Sequence, residues 1–286
     1  MFEQTLNDLK NFHTISSQFW KNIPDDAWDT KTGTRDKDWT VHETLAHVLS
    51  IAQLFNKATD SALRGETLVI KGFEKREDLG AWNDEQIERL SQLAPNGLIV
   101  QLLQELRITH ERASQLTAET AEKTVFMPNF NRPARAIDTI HWQLSHAGIV
   151  HGAQVTTPLN MLPLWSQFKD DLLHRMVGYF LNQWSYVYWA ELGSDTAQII
   201  NFHIAGDAGG EWHLTASPDG STSAEGKVDG AEFNLFFDNP NTFLGIFTGY
   251  IDMREMMVGG NMRIASDVRD TLAILSLFSP KKPKQA

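Results

Sequence analysis

The chain has no cysteine. Its chemistry therefore cannot start from an internal thiolate, and a metal ion would have to take histidine nitrogen, oxygen ligands or water. Histidine is the residue to follow: His13, His42, His47, His110, His141, His146 and His151 all lie within residues 1–163. His47 stands four residues before Ile51 and seven before Leu54, so it borders the apolar stripe of a helix and can point inward. His42, near the start of that helix, is expected to be solvated. Ile137, His141, Leu144, Gly148, His151 and Val155 recur in steps of four and three, which gives them one inward face. Along that face His141 and His151 are about 15 Å apart, too far to hold one ion. His146 and His151 are five residues apart and diverge by about 140° in a regular helix. A π-bulge, eased by Gly148, would bring them together, and such bulges favour functional sites. The bland alternative for each ring is a hydrogen-bonded core histidine.

The elements that must position these side chains are helical in the first half. Phe2, Leu6, Leu9, Phe12 and Phe19 keep helical spacing until Pro24. A polar loop rich in Asp, Lys and Thr follows. Thr40, three residues before Glu43, is the expected N-cap of the next helix, whose stripe is Val41, Leu45, Val48, Ala52 and Phe55. Residues 71–82 suggest a loop and 84–93 a short helix; Pro95 suits the first turn of a longer helix through Leu102, Leu106 and His110. After a loop over 127–133, a helix is expected over 134–155, ended by Pro158 and Pro163. Four principal helices imply a bundle over residues 1–163, whose core can hold a site built from facing side chains.

From residue 164 the pattern changes. A helix is expected over 164–192, carrying Phe168, Leu172, Met176, Phe180, Trp184 and Trp189. Period-two alternation then sets Ile200, Phe202 and Ile204 on one face of a strand and Trp212, Leu214 and Ala216 on one face of the next. Strands over 221–228 and 233–237, a helix over 241–248, a helix near 252–257, a strand near 261–265 and a helix over 268–278 complete it. Mostly antiparallel strands with helices on one face make residues 164–286 an α+β domain. The whole chain is thus expected to be a two-domain α+β protein. The tail Lys281-Lys282-Pro283-Lys284 is read as a solvated, disordered end.

A net charge of −11 argues against nucleic-acid binding through phosphate neutralisation. The N-terminus lacks the basic and apolar regions of a signal peptide, and no apolar run is long enough to span a bilayer. A cytoplasmic location is the expectation.

The stretch Asp38-Trp39-Thr40-Val41-His42-Glu43-Thr44-Leu45-Ala46-His47-Val48 resembles the second-helix motif of the DinB superfamily and of the N-terminal domain of mycothiol-dependent maleylpyruvate isomerases. His47 matches the histidine that binds metal there. Residues 144–155 resemble the family's last-helix motif, with His151 and Gln154 in the matching positions. The family's partner ligand precedes the last histidine by four residues; here that position is Ala147, with His146 one residue out of place. Two alternatives stay open: the helix carries an extra residue as a bulge, or the third ligand has been lost. The first alternative makes His47, His146 and His151 the metal set. The resemblance implies zinc or another divalent metal and, without an internal cysteine, a thiol supplied by a low-molecular-weight cosubstrate in transferase or isomerase chemistry.

In the second domain, Ile200-Asn201-Phe202-His203-Ile204, Glu211-Trp212-His213-Leu214, residues 247–252 and residues 256–264 resemble, in that order, a sterol-carrier-protein domain. That likeness implies a hydrophobic tunnel for a lipid or acyl chain. The residues by themselves read as ordinary core: Phe233, Leu235, Phe237, Phe243, Phe247, Met253, Met256 and Met257. Three readings follow: a metal- and thiol-dependent transferase or isomerase, a non-catalytic carrier of a lipid or sterol-like ligand with a degenerate metal site, and a bundle that serves as a homodimerisation platform.

Overall fold

The computed structural model describes residues 2–33, 38–280 and 282–283, and the chain divides into two compact units. Part of the polar loop before Thr40, and Lys281 and Lys284 of the basic tail, lie outside the described residues. No helix among them is long and apolar enough to cross a membrane.

The first unit comprises Met1–Pro128 and Pro133–Phe168. Its helices are α1 (Phe2–Lys21), α2 (Val41–Arg64), α3 (Leu79–Leu90), α4 (Pro95–Ser114) and the one-turn α5 (Ala118–Ala121). A two-residue hairpin, β1 (Thr124–Val125) with β2 (Ala134–Arg135), leads into α6 (Ala136–Ser145). A π-helical turn, His146–His151, continues that helix into α7 (Gly152–Thr156). The α3 helix begins inside the segment expected to be a loop, and the hairpin had no counterpart in the sequence pattern. Pro95 occupies the first turn of α4.

The α2 helix is the central element. It packs against α3, α4 and α6, while α1 packs against α4. Seventeen of its residues are buried, among them Leu45, Val48, Leu49, Ala52 and Phe55. Its pairing with α6 is antiparallel: Gln143 Nε2 donates to the Ala52 carbonyl at 2.9 Å, and further along α2 the Thr59 and Thr139 hydroxyls meet at 2.8 Å. Moving toward the start of α2 therefore means moving toward the π-turn. That polarity brings His47 opposite His146–His151.

The second unit comprises Lys169–Ala286 with Asn129–Arg132. It starts with α8 (Asp170–Ser185) and continues with β3 (Gln198–Ile204), β4 (Gly210–Ser217), β5 (Gly220–Glu225), β6 (Phe233–Phe237), α9 (Pro240–Thr248), α10 (Met253–Val258), β7 (Met262–Ile264) and α11 (Val268–Ser276). The sheet order is β5-β4-β3-β6-β7. The β3–β6 pair is parallel and the other three are antiparallel. As the alternation required, Ile200, Phe202, Ile204, Trp212, Leu214, Ala216, Leu235 and Phe237 are buried. On that inner face Trp184 of α8 meets Phe202, and Phe243 and Phe247 of α9 meet both Phe202 and Phe237, with ring centroids 5.2–6.4 Å apart; Phe180 of α8 meets Phe243 at 6.0 Å.

Two expectations for this half need correction. The helix expected over 164–192 is three pieces: a 3-10 turn over Leu164–Gln167 that belongs to the first unit, α8, and a 3-10 turn over Ala190–Leu192. Phe168 and Lys169 are extended. Past α8 the backbone leaves the helix to pair with the end of the chain: Trp184 and Trp189 donate their indole N–H to the carbonyls of Phe278 and Ser279, both at 2.8 Å. The second correction concerns Met253, Met256 and Met257. They ride on α10, which buries none of its residues, because six residues between a capping Asp252 and Gly259 are too few to reach the core.

The start of α2 is where sequence and structure agree most closely. Thr40 Oγ1 accepts from the Glu43 N–H at 3.1 Å, and Glu43 Oε2 accepts from the Thr40 N–H at 2.7 Å, the reciprocal capping box. Losing such a cap costs about 1 kcal/mol. Thr40→Ala is expected to lower the unfolding free energy by about that amount, with Thr40→Ser close to the parent. Equal urea midpoints for all three proteins would show that the cap contributes nothing.

Candidate metal centre

Three of the seven histidines converge. His47, on the second turn of α2, and His146 and His151, at the two ends of the π-turn, each offer one ring nitrogen, and these three atoms lie within 4.8 Å of one another. His146 Nε2 and His151 Nε2 are 3.0 Å apart. The His47 ring centroid is 5.3 Å from that of His146 and 4.7 Å from that of His151. The π-turn makes this possible: with i→i+5 pairing the helix is wider, and positions five apart come onto one face. Of the two alternatives left open by Ala147, the backbone takes the bulge. Gly152, just after the turn, leaves room for a close neighbour, since a Cβ there would lie 3.1 Å from the Leu164 Cβ.

The rings are held in an aromatic setting, with His146 half-buried and the other two buried. His47 and His151 are only 5% and 4% exposed. Trp39 covers His47 with ring centroids 4.8 Å apart, and Phe55 meets His146 edge-on at 6.2 Å. Burial holds the pKa of His47 well below the usual imidazole value, and the neighbouring His151 lowers it further. His146 is lowered well below by burial, then by His151 and His47. Burial brings His151 down to about 4, against an opposing hydrogen bond to Gln154. All three are therefore neutral at pH 7, the form that ligates metals.

Their hydrogen bonds determine which nitrogens are available. Gln154 Oε1 lies 2.6 Å from His151 Nδ1. The amide oxygen can only accept, so Nδ1 carries the proton and Nε2 presents its lone pair toward His146. His47 Nδ1 is buried and has no hydrogen-bond partner. A buried polar atom left unpaired costs about 1–3 kcal/mol, a cost that a cation bound at Nδ1 itself would relieve. In a tetrahedral zinc site with bonds of about 2.0–2.1 Å, ligand nitrogens lie about 3.3 Å apart. The His146–His151 separation is already close to this, and the wider spread to His47 requires a small rotation of one side chain. The donor set fits a divalent ion.

The other histidines stand apart. His141 shares the inward face of the run, as its spacing implied, but its Nε2 meets the Thr5 hydroxyl of α1 at 3.2 Å. Burial brings its pKa down to about 4. His42 is not solvated as expected: its Nε2 lies 2.9 Å from the Leu93 carbonyl, because the segment after α3 crosses the start of α2. Trp39 and Gln154 belong to the stretches that carried the family resemblance. Their roles as ring cover and ring anchor could not be assigned from position alone, since each depends on a contact with a histidine side chain.

No curated protein matches this chain in sequence. Among solved structures it is similar to the mycothiol-dependent maleylpyruvate isomerase, with a TM-score of 0.59 and 12% identity over 93% of each chain. A point mutant of that isomerase gives the same TM-score, with 11% identity and the same coverage. At these identities the likeness establishes a shared fold across both units. The sequence also matches the DinB superfamily over residues 9–155, which is more than half of the chain and includes all three converging histidines, and the protein is thus a member of the DinB superfamily.

Proposed function

We propose that this protein is a divalent-metal-dependent enzyme, most simply a zinc enzyme, that uses a low-molecular-weight thiol as cosubstrate in a transferase or isomerase reaction. The observation that carries the reading is the meeting of three neutral imidazole nitrogens within 4.8 Å of one another in a chain without cysteine. The mycothiol dependence named for the similar isomerase supports a thiol as the partner. A divalent ion with three protein ligands and an open position lowers the pKa of a thiol or water that reaches it.

The roles of the residues follow from their contacts. His47, His146 and His151 hold the ion. Gln154 keeps the His151 proton on Nδ1, so that Nε2 stays a donor to the site. Trp39 and Phe55 wall the rings and keep the surroundings apolar, which strengthens any electrostatic interaction made there. As to architecture, we read the first unit as a four-helix bundle built on α1, α2, α4 and the α6–α7 run. We read the second as sterol-carrier-like, supported by its hairpin, α9 junction and final strand-to-helix step in the order expected for that fold.

Metal analysis of untagged protein tests the reading. One equivalent of a divalent ion per chain is expected in the parent, with loss of that ion in His47→Ala. Failure to find stoichiometric metal under replete conditions would remove the mechanism. Gln154→Ala should keep the fold and weaken metal affinity by about 10–100-fold, the usual effect of deleting an outer partner of a ligand; an unchanged affinity in competition with a chelator would deny Gln154 that role.

The pH dependence has a definite sign. His151 has a folded pKa of about 4 against about 6.5 in an unfolded chain. Between those values the unfolded state binds more protons, so the metal-free protein is at full stability above about 6.5 and loses it as the pH falls toward 4. His141 adds to the loss in the same window. The urea midpoint of metal-free protein should be lower at pH 4.5 than at pH 7. A midpoint that does not move would mean that the rings are not buried in their neutral form.

A further inference from the structure

The outer face of the second unit's sheet carries a cleft of about 640 Å3, lined only by residues of that unit. Across it the register sets Glu211 of β4, His203 of β3, Phe236 of β6 and Arg263 of β7 side by side. These residues form a stack standing on the sheet. Glu211 Oε1 accepts from His203 Nδ1 at 2.8 Å. The His203 and Phe236 rings are parallel within 8°, with centroids 4.4 Å apart. The Arg263 guanidinium lies 4.0 Å from the centre of the Phe236 ring. Two residues further along the same face stand Asp238 and Asn261, joined by Asn261 Nδ2 donating to Asp238 Oδ2 at 2.6 Å.

Opposite charges are thus left apart in one cleft. Asp238 and Arg263 are both exposed, and they occupy diagonal positions, a spacing of about 7–8 Å between strands. They form no ion pair with each other or with any other described residue, and stacking on Phe236 holds the exposed guanidinium over that ring. A cation and an anion held at this separation complement a small zwitterion. Met257 and Gly260, at the end of α10, line the cleft beside them and offer an apolar wall.

We propose that this cleft binds a zwitterionic α-amino acid with an apolar side chain. Its carboxylate pairs with the Arg263 guanidinium in the two-pronged geometry that arginine favours. Its ammonium group donates to the free Oδ1 of Asp238, and its side chain lies along Met257. The proposal is independent of the metal centre.

Calorimetric titration of the full-length protein with L-methionine tests it, alongside N-acetyl-L-methionine, which lacks the ammonium, and L-methionine methyl ester, which lacks the carboxylate. Saturable binding with Kd on the order of millimolar is expected, with each blocked form at least about tenfold weaker. Arg263→Gln should erase the difference between L-methionine and its methyl ester, and Asp238→Asn the difference between L-methionine and its N-acetyl form. Both positions are exposed, so both variants should keep the parent thermal midpoint. The titration is repeated on metal-free His47→Ala protein, where binding should persist, because amino acids also chelate metal ions. The proposal is overturned by a lack of saturable binding, by blocked forms that bind as well as L-methionine, by variants that leave both differences intact, or by binding that vanishes in His47→Ala.

Discussion

The arrangement of the first unit turns on one departure from regular helix geometry. Five residues separate His146 from His151, and an α-helix would send their side chains about 140° apart. The π-turn over His146–His151 removes that divergence and brings the two Nε2 atoms to 3.0 Å. A π-turn is a rare and poorly packed form of helix, so it persists only where its surroundings hold it. Here α2 packs along one side of the run, and Leu164 closes on Gly152 at the end of the turn. Were the turn to revert to α-helix, one histidine would leave the site and every residue beyond it would change register.

Burial then decides what the converged rings can do. Three imidazoles within 4.8 Å cannot all carry charge in an apolar interior, and desolvation keeps them neutral. A neutral imidazole has one lone pair and one N–H. With the His151 proton committed to Gln154, the His146–His151 contact has two states: His146 Nε2 donates its proton to His151, or it turns a second lone pair toward the same point and a cation takes the proton's place. A cation taken up at the unpaired Nδ1 of His47 would give that buried atom a partner, which the first state does not supply. The aromatic cover from Trp39 and Phe55 makes either state more rigid than it would be in water.

The parts of this that could be read from the sequence are those encoded locally. Thr40 and Glu43 cap α2 through contacts three residues apart, and the inward lean of His47 follows from its distance to Ile51 and Leu54. The π-turn was visible only as one of two ways to reconcile His146 with a partner expected at position 147, since nothing in the residues themselves separates an α-turn from a π-turn. What escaped depends on distant segments. The pairing of β1 with β2 joins residues on either side of a loop. The end of α8 is set by carbonyls near the C-terminus that take the indole protons of Trp184 and Trp189. His42 was placed in solvent because its partner, the Leu93 carbonyl, lies 51 residues on. Helical periodicity continues through such points, and tertiary hydrogen bonding overrides it.

The two faces of the second unit's sheet bear differently on ligand binding. The inner face is closed by interlocking rings: Phe243 alone meets Phe180, Phe202, Phe237 and Phe247, with centroids 4.9–6.0 Å apart. Aromatic groups at these separations fill the space between sheet and helices as core, so an acyl chain could enter only by displacing them, at the expense of their mutual contacts. Met253, Met256 and Met257, expected in the core, sit instead on α10, which buries none of its residues. The outer face offers polar groups with unused valence around a stacked aromatic deck. Packing on one face and recognition on the other follow from the strict alternation of a strand, where each residue must serve one side or the other. Along β6, Leu235 and Phe237 are buried on the inner face. Phe236, between them, carries its ring to the opposite side, where it stacks between His203 and Arg263.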